Sequence, residues 1–159
     1  MKTTVRVDGL RELDAALGEL AAEYGKAAGK AVLRRVGMKA LQPMADTTNA
    51  LAPDDPATGG NDLSGSYIVG TKLNKRQAAI ARKDQDKALV TVYMGTNDPA
   101  GLQQELGNVN HGAQPHIRPA FDQHKMEAIK IVASELGPEI ERTAARIAKR
   151  RAAKAARAG

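Results

Sequence analysis

The chain has 159 residues, enough for a single domain with one hydrophobic core. It contains no cysteine, and no apolar run approaches the ~18 residues of a membrane span, so disulfide frameworks, cysteine metal sites and membrane-spanning helices are excluded. Seven of the 24 basic residues and none of the 18 acidic ones lie at or after Arg142, so the net charge of +6 belongs to the C-terminal end.

The first half of the chain is expected to be mainly helical. Thr3 to Val7 alternates β-branched residues and predicts a short strand. Apolar residues then recur every three or four positions from Leu10 to Tyr24, which is typical of an amphipathic helix, and Gly25 should weaken or end it. A second helical pattern covers Ala27 to Ala50, where Pro43 should kink or divide the helix.

The centre of the chain contains the strand signals. Ala52 to Ser66 is a loop by composition, and Tyr67 to Thr71 predicts a strand. Lys72 to Lys87 is strongly polar and is expected to be a mobile connection with about one helical turn. Leu89 to Gly95 is the strongest strand pattern, because apolar and polar residues alternate along it. Pairing of the two strands would make a hairpin with a basic arm.

The other elements are expected to position the stretch from Gln104 to Asp122. An ordered segment is expected to end at Leu106, after which the chain turns through Gly107–Gly112 and runs extended to Arg118. A helix should then begin with Pro119 in its first turn. Phe121, the only phenylalanine, is expected to fix the loop to the core.

The C-terminal part predicts two helices separated by Gly137-Pro138, and the end beyond Ile147, where the apolar side is only alanine, is expected to fray or to order against a partner. The fold class is therefore α+β. A small, mostly antiparallel sheet is packed by the N-terminal helices and a C-terminal helix, Pro119–Leu136. We expect a single domain over residues 1–141, followed by a basic helical tail over residues 142–159.

Several segments, in the same order, resemble the head–tail joining, or tail-completion, proteins of long-tailed bacteriophages. These segments are Gly9–Leu17, Ala52-Pro53, Thr58-Gly59, Asp62-Leu63, Ser66–Val69, Glu105-Leu106-Gly107, His111-Gly112 and Arg118–Asp122. The resemblance covers about Val5 to Leu136. The family usually has an aromatic residue where Leu106 stands and an apolar residue where His116 stands.

The resemblance implies a structural protein of the phage neck or upper tail that joins head to tail without catalysis. It implies a homo-oligomeric ring, by analogy a hexamer, in contact with a head-closure protein, a tail terminator or the tail tube. The location would be the virion, with the host cytoplasm as the place of assembly; the first eight residues contain no signal-peptide segment. Tail terminator and head-closure protein remain alternative roles within this class.

Long loops in a compact domain are usually functional or disordered, so two loops are candidates for contacts with other subunits. The candidate residues are Gly107, Asn108, His111, Gly112 and Pro115 in one loop, and Lys72, Lys75, Arg76, Arg82 and Lys83 in the basic arm.

The basic tail is a candidate for contact with DNA phosphates or with an acidic protein surface. Its residues are Arg146, Lys149, Arg150, Arg151, Lys154 and Arg157. The plain alternative is a solvated helix face that keeps the protein soluble. The tail contains no aromatic residue for base stacking, which argues against single-strand or sequence-specific binding. A non-specific DNA-binding protein is the alternative from another functional class.

Histidine and carboxylate residues are the candidates for catalytic or metal-binding groups. His111, His116 and His124 have spacings of no familiar metal signature. His111 with Glu105 and Asp122 lacks a nucleophile at a recognisable spacing. We therefore expect no metal, no cofactor and no catalysis, while an enzyme that uses His111, His116 and Glu105 remains the rival hypothesis.

Overall fold

The computed structural model describes residues 10–53, 63–81 and 90–158. They form the predicted α+β fold, with five helices and one two-stranded antiparallel sheet in these ranges. In chain order the elements are α1 (Leu10–Tyr24), α2 (Lys26–Leu51), β1 (Ile68–Gly70), α3 (Lys75–Ala81), β2 (Tyr93–Gly95), α4 (Pro99–Leu106) and α5 (Ile117–Ala158). The predicted strand at Thr3–Val7 lies outside the described residues.

The chain divides into two compact units, and the divisions fall inside α2 and α5. The first, here called the helical unit, contains α1, α2 as far as Val36, and α5 from Lys130 onward. The second, here called the mixed unit, runs from Gly37 to Ile129. The predicted boundary between residues 141 and 142 lies inside α5, which continues across it. The division into domain and tail stays a prediction.

The helical unit is held together by an aliphatic core. Its buried members are Leu20, Ala28, Val32, Val36, Leu136 and Ile140, with Leu13, Leu17 and Val132 among the side chains packed around them. Burying each large aliphatic side chain contributes roughly 1.5–3 kcal/mol. Gly25 joins α1 to α2 with φ +90°, a conformation that favours glycine, and its N–H donates to the carbonyl of Ala21.

A buried carboxylate links α2 to α5 within the helical unit. Glu139 is 4% exposed, and its oxygens lie 2.5 Å from Arg35 Nε, 3.4 Å from Arg142 Nη1 and 3.9 Å from Arg146 Nη2. Arg35 also donates to the hydroxyl of buried Thr143. Burial alone would raise the pKa of Glu139, but the arginines outweigh it and lower that pKa. The carboxylate therefore stays charged and paired.

The mixed unit contains the sheet. β1 and β2 pair antiparallel with Ile68 opposite Gly95 and Val69 opposite Met94. The second half of α2 and the first part of α5 lie beside the sheet, and Tyr67, which immediately precedes β1, is buried with Ala52 and Leu63. The side chain of Asn49 accepts from the N–H of Tyr67 and donates to its carbonyl, both at 2.9 Å, which fixes the entry to β1.

Both strands are shorter than predicted. β1 covers Ile68–Gly70 instead of Tyr67–Thr71, and β2 covers Tyr93–Gly95 instead of Leu89–Gly95. The pairing partner is only three residues long, so residues 90–92 have no ladder to join. Gly37 also lies against Val92: a Cβ there would be 2.8 Å from Val92 Cγ2. This segment therefore approaches α2 closely without extending the strand.

The helices are more continuous than predicted. α2 passes through Pro43 and α5 passes through Pro138, so a division at either proline is wrong. Leu136 and Ile140 lie on either side of Pro138 and are buried in the same core, which stabilises the helix across the missing hydrogen bond. α5 also continues to Ala158 without the expected fraying, since alanine has the highest helix propensity.

Phe121 does not fix the loop to the core. Its side chain is 52% exposed and lies under the Lys125 ammonium group, 5.9 Å from the ring centre. Ala120 is completely buried in its place, because α5 begins at Ile117, two residues earlier than expected, and this turns Phe121 outward.

Candidate functional site

The segment between α4 and α5, residues 107–116, is a tightly bonded loop. Asp98 is the N-cap of α4, and its carboxylate accepts a hydrogen bond from the N–H of Ala100. Pro99 occupies the first position of the helix. The helix ends at Gly107, whose φ of +77° favours glycine. A Cβ on Gly107 would lie 2.8 Å from the backbone nitrogen of Ala113, so the two sides of the loop meet there.

Asn108 organises the tip of this α4–α5 loop. Its side-chain oxygen accepts from the backbone N–H groups of Asn110 and His111 at 2.8 and 3.1 Å, and its backbone N–H donates to the carbonyl of His111. The His111 ring lies between Asn108 Nδ2 and the Gly112 carbonyl, both at 2.9 Å. These partners select the tautomer with hydrogen on Nδ1, which donates to Gly112 while Nε2 accepts from Asn108.

Glu105 fixes the other end of the loop at the start of α5. Its buried carboxylate accepts from the backbone N–H groups of His116, Ile117 and Arg118 at 2.8, 2.8 and 3.3 Å. These donors belong to the helix N-terminus, where N–H groups lack intrahelical acceptors and the helix dipole favours negative charge. Arg118 Nε lies 3.2 Å from the same carboxylate.

The environment of Glu105 keeps it ionised. Burial favours the neutral acid and would raise its pKa, but the three backbone hydrogen bonds outweigh burial and lower the pKa below its usual value. A charged side chain on α4 thus caps a helix that begins twelve residues further along the chain.

His116 and Tyr67 complete the anchor network, which consists of Glu105, His116 and Tyr67. The His116 side chain is 1% exposed, and its Nδ1 lies 2.9 Å from the Gln114 carbonyl. Nδ1–H therefore donates to Gln114, and Nε2 accepts from the Tyr67 hydroxyl at 2.6 Å. Burial, with Glu105 and Asp98 nearby, raises the pKa of Tyr67 to about 12, so the phenol remains a donor. Gly101 leaves space for this hydroxyl, since a Cβ there would lie 2.7 Å from it.

The loop held by this network presents apolar side chains to the outside. Val109 at the tip is fully exposed, and Leu102 and Leu106 on α4 are 67% and 57% exposed. A β-branched aliphatic residue has no favourable contact with water, and apolar side chains grouped on a well-ordered surface commonly mark interaction sites. The arrangement suits contact with another protein surface.

The structure brings together one of the two predicted contact sets. Gly107, Asn108, His111, Gly112 and Pro115 all belong to the α4–α5 loop. In the basic arm, Lys72 and Lys75 are exposed, and Lys75 and Arg76 open α3. Lys72 borders a surface depression of about 290 Å³ beside the sheet, which Ile68, Leu73 and Tyr93 also line. Arg82 and Lys83 lie outside the described residues.

The histidines and carboxylates considered for catalysis have separate partners. His124 bonds Thr47 and Glu127, while His111 and His116 bond the groups given above. Glu105 contacts the backbone of His116 instead of His111, and Asp122 pairs with Lys125. In the described ranges, no three His, Asp or Glu side chains converge as metal ligands.

The predicted tail residues lie on the last turns of α5, and two of them have partners inside the helical unit. Arg146 reaches Glu139, and Arg151 lies 4.9 Å above the Tyr24 ring while donating to the carbonyl of Glu23. The other four, Lys149, Arg150, Lys154 and Arg157, are exposed.

Sequence reasoning missed the anchor network. His116 appeared to be a polar loop residue, and Tyr67 a strand residue. Nothing in the spacing of positions 67, 105 and 116 indicates that they meet. The available signal was Glu105 placed two residues before Gly107 and ten residues before Pro115, which precedes α5.

No helix in the described ranges combines the length and apolar character needed to cross a bilayer. Comparisons of the chain with protein-family models, with curated proteins and with solved structures find no match.

Proposed function

We propose that the protein is a structural component of a bacteriophage neck or upper tail, which joins head to tail as a ring and contacts its neighbours through the α4–α5 loop. The observation that supports this most directly is a preorganised loop with a fully exposed apolar tip, Val109. Three of the motifs that resemble tail-completion proteins, Glu105-Leu106-Gly107, His111-Gly112 and Arg118–Asp122, lie in this loop or in the helix ends that flank it.

The anchor network supports a contact role for the loop. Association costs free energy whenever a flexible loop must be ordered, and a loop that is already ordered avoids part of that cost. Here Asn108 fixes the tip, Gln114 N–H bonds the Gln104 carbonyl at 2.7 Å, and Glu105 holds the far end. The polar groups of the loop bond one another and leave Val109 to meet a partner.

Assembly as a ring requires that one surface of a subunit meets a different surface of the next. The mixed unit contains a largely apolar depression of about 420 Å³ lined by Leu41, Met44, Met94, Ile117 and Phe121, with Arg118 and Asp122 also at its lining. An exposed apolar tip and an apolar depression on one chain are the kind of unlike surfaces that such a heterologous contact needs. A ring of six copies is the expected assembly.

The first test is electron microscopy of a lysate from a phage that carries this gene, with the gene deleted. Filled heads beside separate tails are the expected result, because the joining step would be lost. Intact infectious particles would contradict the proposal. Heads that lose their DNA would favour the head-closure role, and tails of uncontrolled length would favour the tail terminator role.

A point variant tests whether the loop tip itself makes the contact, in a protein that is still produced and folded. Val109→Asp places a charge on a fully exposed residue, so folding should be unaffected, but the deletion phage should no longer be complemented. Ala15→Asp, at an exposed position of α1, is the control and should complement fully. Complementation by Val109→Asp would exclude the loop tip from the contact.

A second candidate function is non-specific DNA binding by the C-terminal end of α5. The observation that favours it is that α5 continues to Ala158 with Lys149, Arg150, Lys154 and Arg157 exposed on its surface.

A further inference from the structure

The last two turns of α5 extend beyond the contacts that hold the rest of the helix. Ile147 is the last side chain packed against the core of the helical unit, and Arg151 makes the last contact with α1. Residues 151–157 are all exposed. Four alanines in this stretch keep it helical without adding any large apolar surface.

Three of the seven cations at this end have partners within the helical unit. Arg142 and Arg146 pair with Glu139, and Arg151 stacks on Tyr24. The remaining four, here called the free-cation set, are Lys149, Arg150, Lys154 and Arg157. No ion pair joins any of the four to a carboxylate in the described part of the chain, and the sequence has no acidic residue after Glu141.

These cations are close together along the helix. Lys149 and Arg157 are eight residues apart, which is about 12 Å along the axis of an α-helix. Arg150, Lys154 and Arg157 also border one surface depression of about 480 Å³, together with Arg151, Ile147 and Ala153. A duplex of the same length carries about seven phosphate charges, so several of the cations can each reach a phosphate.

The side chains between the cations favour a phosphate backbone over a protein partner. Protein interfaces depend on a few fully desolvated anchors, mostly Trp, Tyr and Arg, surrounded by side chains that exclude water from them. After Ile147 the chain offers only alanine and glycine besides its cations. The same composition provides no aromatic ring for base stacking, which argues against a single-stranded ligand. Charge contact with a duplex remains as the binding mode.

We propose that Lys149, Arg150, Lys154 and Arg157 form a sequence-independent binding site for the phosphate backbone of double-stranded DNA. The site is independent of the proposed role of the α4–α5 loop, since the two involve different residues. Arg142, Arg146 and Arg151 are assigned to the fold and excluded from the site.

The test compares the full-length protein with a variant in which all four free cations are changed to glutamine. Glutamine is a good helix former, so α5 should persist. The control variant carries Arg11→Gln, Lys26→Gln, Arg34→Gln and Lys130→Gln, which removes the same charge from exposed positions that belong to neither proposed contact. Binding of a fluorescent 30-base-pair duplex is followed by anisotropy over a series of NaCl concentrations.

For four phosphate contacts, the logarithm of the binding constant should fall with the logarithm of salt concentration with a slope of about −3.6. We expect the four-glutamine variant to bind at least tenfold more weakly with a slope near zero, and the control to stay within about threefold of the natural protein. Equal losses in both variants, or no loss in the four-glutamine variant, would overturn the proposal.

Two further probes decide the class of ligand. A duplex of unrelated sequence should bind with the same affinity, and a tenfold difference between the two duplexes would overturn sequence independence. Polyglutamate of matched charge should compete poorly. If it displaces the duplex at equal charge concentration, the site recognises acidic protein surfaces and the DNA assignment is wrong.

Discussion

Glu105 shows how one side chain sets the geometry of the interaction surface. Its carboxylate accepts three N–H groups at the start of α5, so the loop and the helix keep a fixed relation. Glu105→Gln retains the shape but replaces one acceptor oxygen with an NH2 group that faces N–H donors. We expect a loss of about 1.5–3 kcal/mol in the free energy of unfolding, measured by urea denaturation at pH 7. Glu19→Gln, an exposed change of the same type, should cost almost nothing.

The same residue predicts a dependence of stability on pH. The pKa of Glu105 is lower in the folded protein than the usual value of 4.5, so its contribution is complete above the unfolded-state pKa and disappears as pH falls through the folded-state pKa. The difference in unfolding free energy between the natural protein and Glu105→Gln should therefore shrink from pH 5 downward. A difference that is constant between pH 7 and pH 3 would contradict this role.

Gly107 is a second residue whose identity is determined by the loop. Gly107→Ala must place a Cβ at φ +77° and 2.8 Å from Ala113 N, so we expect a loss of about 1–3 kcal/mol and a lower melting temperature. Gly112→Ala is the matched control, because that position is open and has no positive φ. Similar melting temperatures for the two variants would show that the turn at Gly107 is not required.

The contact between Tyr67 and His116 is expected to be strongly coupled. Tyr67→Phe removes the donor to a buried ring nitrogen, and His116→Leu leaves the Tyr67 hydroxyl without its acceptor, so each should cost about 1–3 kcal/mol. The double variant removes both polar groups and should cost clearly less than the sum. A double-mutant cycle by urea denaturation measures this coupling, and simple additivity would contradict it.

At the scale of elements, Pro138 makes a prediction about α5. Pro138→Ala restores an N–H that can bond the Ser134 carbonyl in a helix that is already continuous at this point, so we expect a gain of about 1–3 kcal/mol in stability. Pro119→Ala is the control. It lies in the first turn, where the new N–H has no intrahelical acceptor, and its effect should be near zero. Thermal unfolding of both variants provides the comparison, and an equal effect would contradict the argument.

The elements also show which parts of the fold the sequence reveals. The helical pattern of Leu10–Tyr24, its end at Gly25 and the pairing of the two strands follow from local periodicity and turn chemistry, and the structure confirms them. The continuity of α5 through Pro138 depends instead on core contacts from distant parts of the chain. The candidate loop was found from its glycines and prolines, whereas its anchoring by Tyr67 depends on a contact between residues 49 positions apart.

At the scale of the whole molecule, the two proposed contacts belong to different units of the fold. The α4–α5 loop belongs to the mixed unit, and the free cations belong to the helical unit. A subunit that meets its neighbours through one unit can keep the other available for the genome. Variants of the two sites should therefore produce separate defects, in assembly and in DNA affinity.

The absence of cysteine allows the assembly contact to be mapped directly. Val109→Cys provides a single thiol at a fully exposed position, which a maleimide should modify rapidly in the free subunit. If the loop tip is buried between subunits, the same thiol in purified particles should react at least tenfold more slowly, because the neighbouring surface excludes the reagent. Ala15→Cys, exposed on α1, should keep a similar rate in both states. Equal protection of both thiols would indicate general enclosure in the particle, and rapid labelling of Val109→Cys in infectious particles would place the joining contact elsewhere on the subunit.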